Sequence, residues 1–102
     1  MIVRVFRAEA EVKNVPAYRD FLEREIFPQL SALGCTGAEL LVHQNTHATD
    51  LLVQSRWPSL EAIRAFAGDD IERAVVEPEA RALLARFDDK VSHFEVALEA
   101  RP

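Results

Sequence analysis

The stretch Leu51-Leu52-Val53-Gln54-Ser55-Arg56-Trp57-Pro58-Ser59-Leu60-Glu61-Ala62-Ile63 holds two hydrophobic periods joined at a single tryptophan. Positions 51, 53, 55 and 57 follow the period of two expected of a strand, and Leu60, Ile63 and Phe66 then follow the helical period. Ser59 is a ready N-cap for that helix, and Gly68 a stop after Ala67. A strand running straight into a capped helix places Trp57 at the mouth of any cavity between sheet and helix. There an indole can serve as core, as lid, or as a wall for an aromatic ligand.

Working outward from this junction, Ile2 to Val12 alternates with apolar residues on both faces: Ile2, Phe6, Ala8 and Ala10 on one, Val3 and Val5 on the other. A strand apolar on both sides is expected in the middle of a sheet. Asn14 and Pro16 start a helix whose stripe is Tyr18, Phe21, Leu22, Ile26, Leu30 and Leu33, ended by Gly34 and interrupted near Phe27 by Pro28. A second strand is expected over Thr36 to Thr46, and Asn45 to Asp50 reads as a hairpin connection. Past Gly68, Asp70 is expected to cap a further helical piece, broken by Pro78 and resumed through Ala80, Leu83, Leu84 and Phe87. Charges from Glu72 to Glu79 read as its solvated face. The last strand is Val91 to Leu98, with Phe94, Val96 and Leu98 on one face and Val91, His93, Glu95 and Ala97 on the other.

Length and composition narrow the classes of function. The 102 residues suit one domain spanning residues 1–102, and 49% hydrophobic with 28% charged content is ordinary for a globular protein. A net charge of −5, with 12 Lys and Arg scattered among 17 acids, argues against nucleic acid and against a membrane surface. No apolar stretch approaches the roughly 20 residues of a membrane span, and the chain opens as a strand rather than as a secretory signal, so a cytoplasmic protein is expected. Cys35 is the single cysteine and reads as a small packed residue. His43, His47 and His93 lack metal-ligand spacing, and three glycines make no phosphate loop, so neither a metal nor a nucleotide cofactor is expected.

The order β-α-β-β-α-β is that of an α+β ferredoxin-like domain, a four-stranded antiparallel sheet with strands 1 and 3 central and helices on one face. The outer face, with Val3, Val5, Leu41, Leu52 and Val91, is too apolar to stay wet, and a second copy of the sheet is the expected cover, giving a homodimer. With that element order, Gln54 to Gly68 resembles the antibiotic biosynthesis monooxygenase (ABM) family of dimeric α+β barrels. Arg4-Val-Phe-Arg7, Glu25-Ile-Phe-Pro28, Phe66-Ala-Gly-Asp69 and Val91-Ser-His-Phe-Glu-Val96 carry the likeness along nearly the whole chain. The resemblance implies a small aromatic or quinol-like ligand between sheet and helices, oxygenated by O₂ without metal or flavin. Trp57 matches the family's junction tryptophan. Phe66 stands near the place where many of the family's enzymes have a histidine, and strand 1 lacks the asparagine of the haem-degrading branch.

Within that frame His93, mid-strand among apolar neighbours, is the candidate base, facing either pocket or dimer barrel; a sheet histidine paired with Glu95 or a strand-1 arginine is its plainer reading. Arg4 interrupts an apolar face and must find a carboxylate, such as Glu95 or a partner's acid, or else a ligand anion. Trp57, Phe6, Tyr18, Phe66 and Phe94 are the candidate aromatic walls. The alternative to an oxygenase is a non-catalytic dimeric module that binds a small molecule or lends structure.

Overall fold

Alternation at the start of the chain produces β1 (Ile2–Ala10), and a computed structural model describing Met1–Pro102 carries it through the middle of an antiparallel sheet. A helical layer follows, made of α1 (Val15–Phe21), a π-helical turn (Leu22–Ile26) and α2 (Phe27–Ala32). The hairpin strands β2 (Gly37–Gln44) and β3 (Thr49–Trp57) come next, then α3 (Leu60–Ala67), α4 (Pro78–Leu83), β4 (Arg86–Phe87) and β5 (Ser92–Glu95). Strand order is β2-β3-β1-β4, with β5 also pairing β1, and all pairings are antiparallel. The arrangement is α+β and consistent with a ferredoxin-like domain, strands 1 and 3 being central as expected. No helix is long and apolar enough to cross a membrane.

Register sorts the side chains. Ile2, Arg4, Phe6 and Ala8 stand opposite Trp57, Ser55, Val53 and Leu51 on the face that the helices cover. Two hydrophobic clusters fill that layer. One joins Ala8, Ala10, Tyr18, Phe21, Leu22, Leu51 and Ala80, and the other joins Leu30, Trp57 and Ile63. Phe27 packs against both from within the chain. The other face presents Val3, Val5, Leu52 and Phe94, with Leu41 and Phe94 exposed.

Helix ends follow local chemistry. The Ser59 hydroxyl accepts from the Ala62 amide at 3.2 Å, capping α3. Gly68 ends α3 with φ of 83°, and Gly34 lies just past α2 with φ of 102°, both in the left-handed region that favours glycine. Pro28 does not break the first helix. The π turn just before it, with the Phe27 amide reaching back five residues to the Leu22 carbonyl, absorbs the missing donor.

Three expectations are corrected. The piece from Asp70 to Glu77 is not helical; it runs as an irregular strap, tied by Ala74 N–H to Asp89 O (2.8 Å) and Val91 N–H to Glu72 O (2.7 Å). Glu77 is accordingly not part of a solvated helix face. Phe87 belongs to a strand, because the last β segment is split: β4 and β5 share one edge of β1, with residues 88–91 looping out between them. Val91, read as an outer-face residue, lies in that excursion and is buried towards the helices.

Candidate functional site

Between the sheet and the first helical layer lies a cavity of about 60 Å³, mostly apolar, walled by Phe6 and Val53 of the sheet, Leu22 and Leu30 of the helices, Phe66 of α3 and Val76 of the strap. That volume is well below the roughly 300–1,000 Å³ of sites for drug-sized ligands. Its polar groups are few: Arg4, Tyr18, Ser55 and Glu77.

Arg4 is the decisive member. Its side chain points from the centre of β1 to the helix side, and the residue is only 5% exposed. The guanidinium donates from Nη1 to Ile71 O and from Nη2 to Arg73 O at 3.0 Å, both carbonyls of the strap, and Nη1 lies 3.0 Å from His93 Nε2. The ring of Phe66 lies 5.8 Å from its central carbon. It forms no ion pair, with Glu95 or any other acid, and burial without a counter-charge pulls its pKa down to about 10. A guanidinium in this setting remains cationic at neutral pH, stabilised by carbonyl dipoles, the His93 lone pair and the Phe66 ring face rather than by a counter-ion.

His93 stands opposite Arg4 in the β1–β5 register, on the helix side of the sheet. Desolvation, and then the nearby Arg4 charge, lower its pKa, with Glu72 opposing. The ring is therefore neutral near pH 7. Because an arginine N–H only donates, Nε2 must be the unprotonated nitrogen and the ring proton sits on Nδ1. His93 does not line the cavity and touches its chemistry only through Arg4.

Trp57 is fully buried and lies behind the cavity rather than in its wall. It stacks on Phe66 with centroids 6.2 Å apart and planes at 25°, and its Nε1–H donates to Ser55 Oγ at 2.8 Å. Ser55 faces Arg4 directly across the β1–β3 pair. Trp57, Ser55, Arg4 and Phe66 thus close a circuit in which the indole holds both neighbours of the guanidinium. Tyr18 is 2% exposed and lines the same cavity, and burial raises its pKa to about 12. No fully buried polar side-chain atom lacks a partner, so the Tyr18 hydroxyl, which bonds to no protein group, keeps some accessible surface.

Of the expected walls, Phe6, Tyr18 and Phe66 come together around Arg4. Phe94 does not: paired with Val3, it lies on the opposite face and is 51% exposed, because the strand parity that turns His93 inward turns Phe94 outward. Ser55 and Glu77 were not singled out from the sequence. Ser55 carried a signal, a small polar residue at an inward position of β3; Glu77, just before Pro78, carried none. No group of three or more His, Cys, Asp or Glu side chains is placed to hold a metal ion. Neither family models nor curated proteins give a match to this chain.

Proposed function

We propose that the chain is a cytoplasmic, homodimeric oxygenase of the ABM type, which binds a compact aromatic or quinol-like compound between sheet and helices and oxygenates it without a cofactor. The observation that carries the ligand site is Arg4: a buried guanidinium, free of any carboxylate, at an apolar cavity. Such a group is complementary to a negatively charged oxygen on an apolar body. In the reaction a dihydroxyarene supplies the electrons; one atom of O₂ enters at a ring C–H carbon as a hydroxyl, the other leaves as water with two of the substrate's C–H and O–H hydrogens, and the ring is left as a hydroxyquinone. Arg4 holds the charged oxygen, Phe6 and Phe66 flank the ring, and His93 keeps Arg4 in place.

The cavity volume restricts this reading to single-ring compounds and requires the strap at Val75 to Glu77 to yield on entry. The open sheet face, with Val3, Leu41, Leu52 and Phe94, is the expected seat of the second subunit. A second reading, binding without turnover, is favoured by one detail: the lone pair of His93 is already engaged with Arg4, so this histidine is not a free base. Oxygen consumption measured over a panel of single-ring dihydroxyarenes separates the two. Uptake that is lost in Arg4→Gln supports oxygenation, and saturable binding with no uptake by any compound supports the second reading.

A further inference from the structure

Every hydrogen-bonding group that the sheet turns into the cavity is a donor. Three of the five N–H groups of the Arg4 guanidinium are taken by Ile71 O, Arg73 O and His93 Nε2, which leaves two vacant. Ser55, directly opposite on β3, accepts the Trp57 N–H on its oxygen and so keeps its own hydroxyl proton for another acceptor. Directly opposed residues stand roughly 4.5–5.5 Å apart at Cβ, and both side chains line the same cavity. The Tyr18 hydroxyl is a third donor from the helix side.

A cluster of donors around an unpaired positive charge asks for an anion with several acceptor positions. Two N–H groups on one planar guanidinium match the two oxygens of a carboxylate, whereas a phenolate offers a single oxygen. A carboxylate also arrives ionised at neutral pH, while a phenol must first lose a proton. The neighbouring histidine is not available to take it, since its Nε2 lone pair accepts from Arg4. Glu77, the only carboxylate in the lining, repels negative charge, so the ligand's charge is tolerated only where Arg4 offsets it and a further one is not. The small volume demands a short body.

We infer that the cavity selects a compact monocarboxylate, its carboxylate gripped by Arg4 together with Ser55 and its apolar body seated against Phe6 and Phe66. The inference rests on the Arg4 cavity being the ligand site and names the class of molecule it takes. Ser55, oriented by Trp57, becomes a specificity-determining residue.

The test is a binding series with benzoate, 3-methylbutanoate, benzamide and phenol, read by calorimetry and by the fluorescence of Trp57, the only tryptophan. At least one carboxylate is expected to bind, with benzamide and phenol weaker by roughly tenfold or more, as expected for charge-assisted hydrogen bonds. Arg4→Lys, which keeps the charge and loses the fork, and Ser55→Ala are each expected to erase most of that preference, and Ser55→Thr to restore it. The ratio in the unaltered protein stands even where a variant fails to fold. Equal affinity for benzoate and benzamide, tighter binding of phenol than of benzoate, or no carboxylate binding overturns the inference. Carboxylate binding without oxygen uptake on hydroxybenzoates supports it while removing the oxygenase reading; uptake on neutral hydroxyarenes without carboxylate binding does the reverse.

Discussion

His93 Nε2 lies 3.0 Å from Arg4 Nη1, a ring nitrogen that only accepts facing a cation that only donates. Burial disfavours the charged ring, and protonating it would also set two positive charges against each other, so the folded protein holds the His93 pKa below its ordinary value of about 6.5. The unfolded chain then binds the proton more readily, and stability falls as pH drops below about 6.5 until the lowered folded-state pKa is passed. Thermal melts between pH 7.5 and 5 should show a decline that is smaller in His93→Gln. An equal decline in both proteins would assign the acid sensitivity elsewhere.

Removing the charge at Arg4 should loosen the strap before it unfolds the protein. In Arg4→Met the carbonyls of Ile71 and Arg73 lose their donors. Amide hydrogen exchange over residues 71–76 is expected to quicken, while the β1–β3 ladder keeps its protection. Exchange that rises evenly across the sheet would mean that Arg4 supports the core rather than the strap.

Tyr18 is the only tyrosine, so tyrosinate absorbance reports this residue alone. The folded protein should ionise near its raised value of about 12, against about 10 after denaturation. Because the folded state keeps the proton longer, stability should fall as pH climbs through this window. A folded-state midpoint at 10 would place the hydroxyl in water.

Trp57→Phe keeps a ring to pack on Phe66 but removes the Nε1–H that engages Ser55. Loss of that buried bond plus a small void is expected to lower stability by about 1–3 kcal/mol, measured by urea unfolding. A change under a few tenths would show that Ser55 finds another partner without strain.

The sheet face offers a test of assembly. Phe94→Glu puts a charge at a half-exposed position beside Val3, on the side away from the cavity. If a second subunit covers that face, sedimentation should show dimers for the unaltered chain and monomers for the variant, with the same circular dichroism. Monomers in both would leave the face open to water.

Much of the fold could be read from periodicity. The hairpin, the Trp57 junction and the Ser59 cap are local signals, and local chemistry decides them. What escaped depended on distant partners. The split between β4 and β5 was hidden because Leu83, Leu84 and Phe87 continue a helical spacing, while Phe87 in fact pairs with Ala8 far back in the chain. Phe94 and His93 were separable only by register, since alternation says that they face opposite ways without saying which way either faces. Arg4 stands out as a charge on an apolar face and its pairing with His93 is legible as a strand-1 arginine beside a sheet histidine, yet its other partners are backbone carbonyls, which no side-chain pattern announces.

The π turn in the first helical layer has an architectural consequence. Tyr18, Leu22, Ile26 and Leu30, at every fourth place, all reach the same cavity. In a straight α-helix of 3.6 residues per turn each such step would rotate about 40° around the axis, and the row would drift off the cavity. The wider turn at Leu22–Ile26 takes up that drift. This helix therefore holds one residue beyond regular winding; deleting a single exposed position there, such as Arg24, would leave eleven regular steps from Tyr18 to Leu30, which still brings both to one face, while the wide turn and its Phe27-to-Leu22 bond would be lost. The interior is shaped by an insertion as much as by the identity of the side chains that line it.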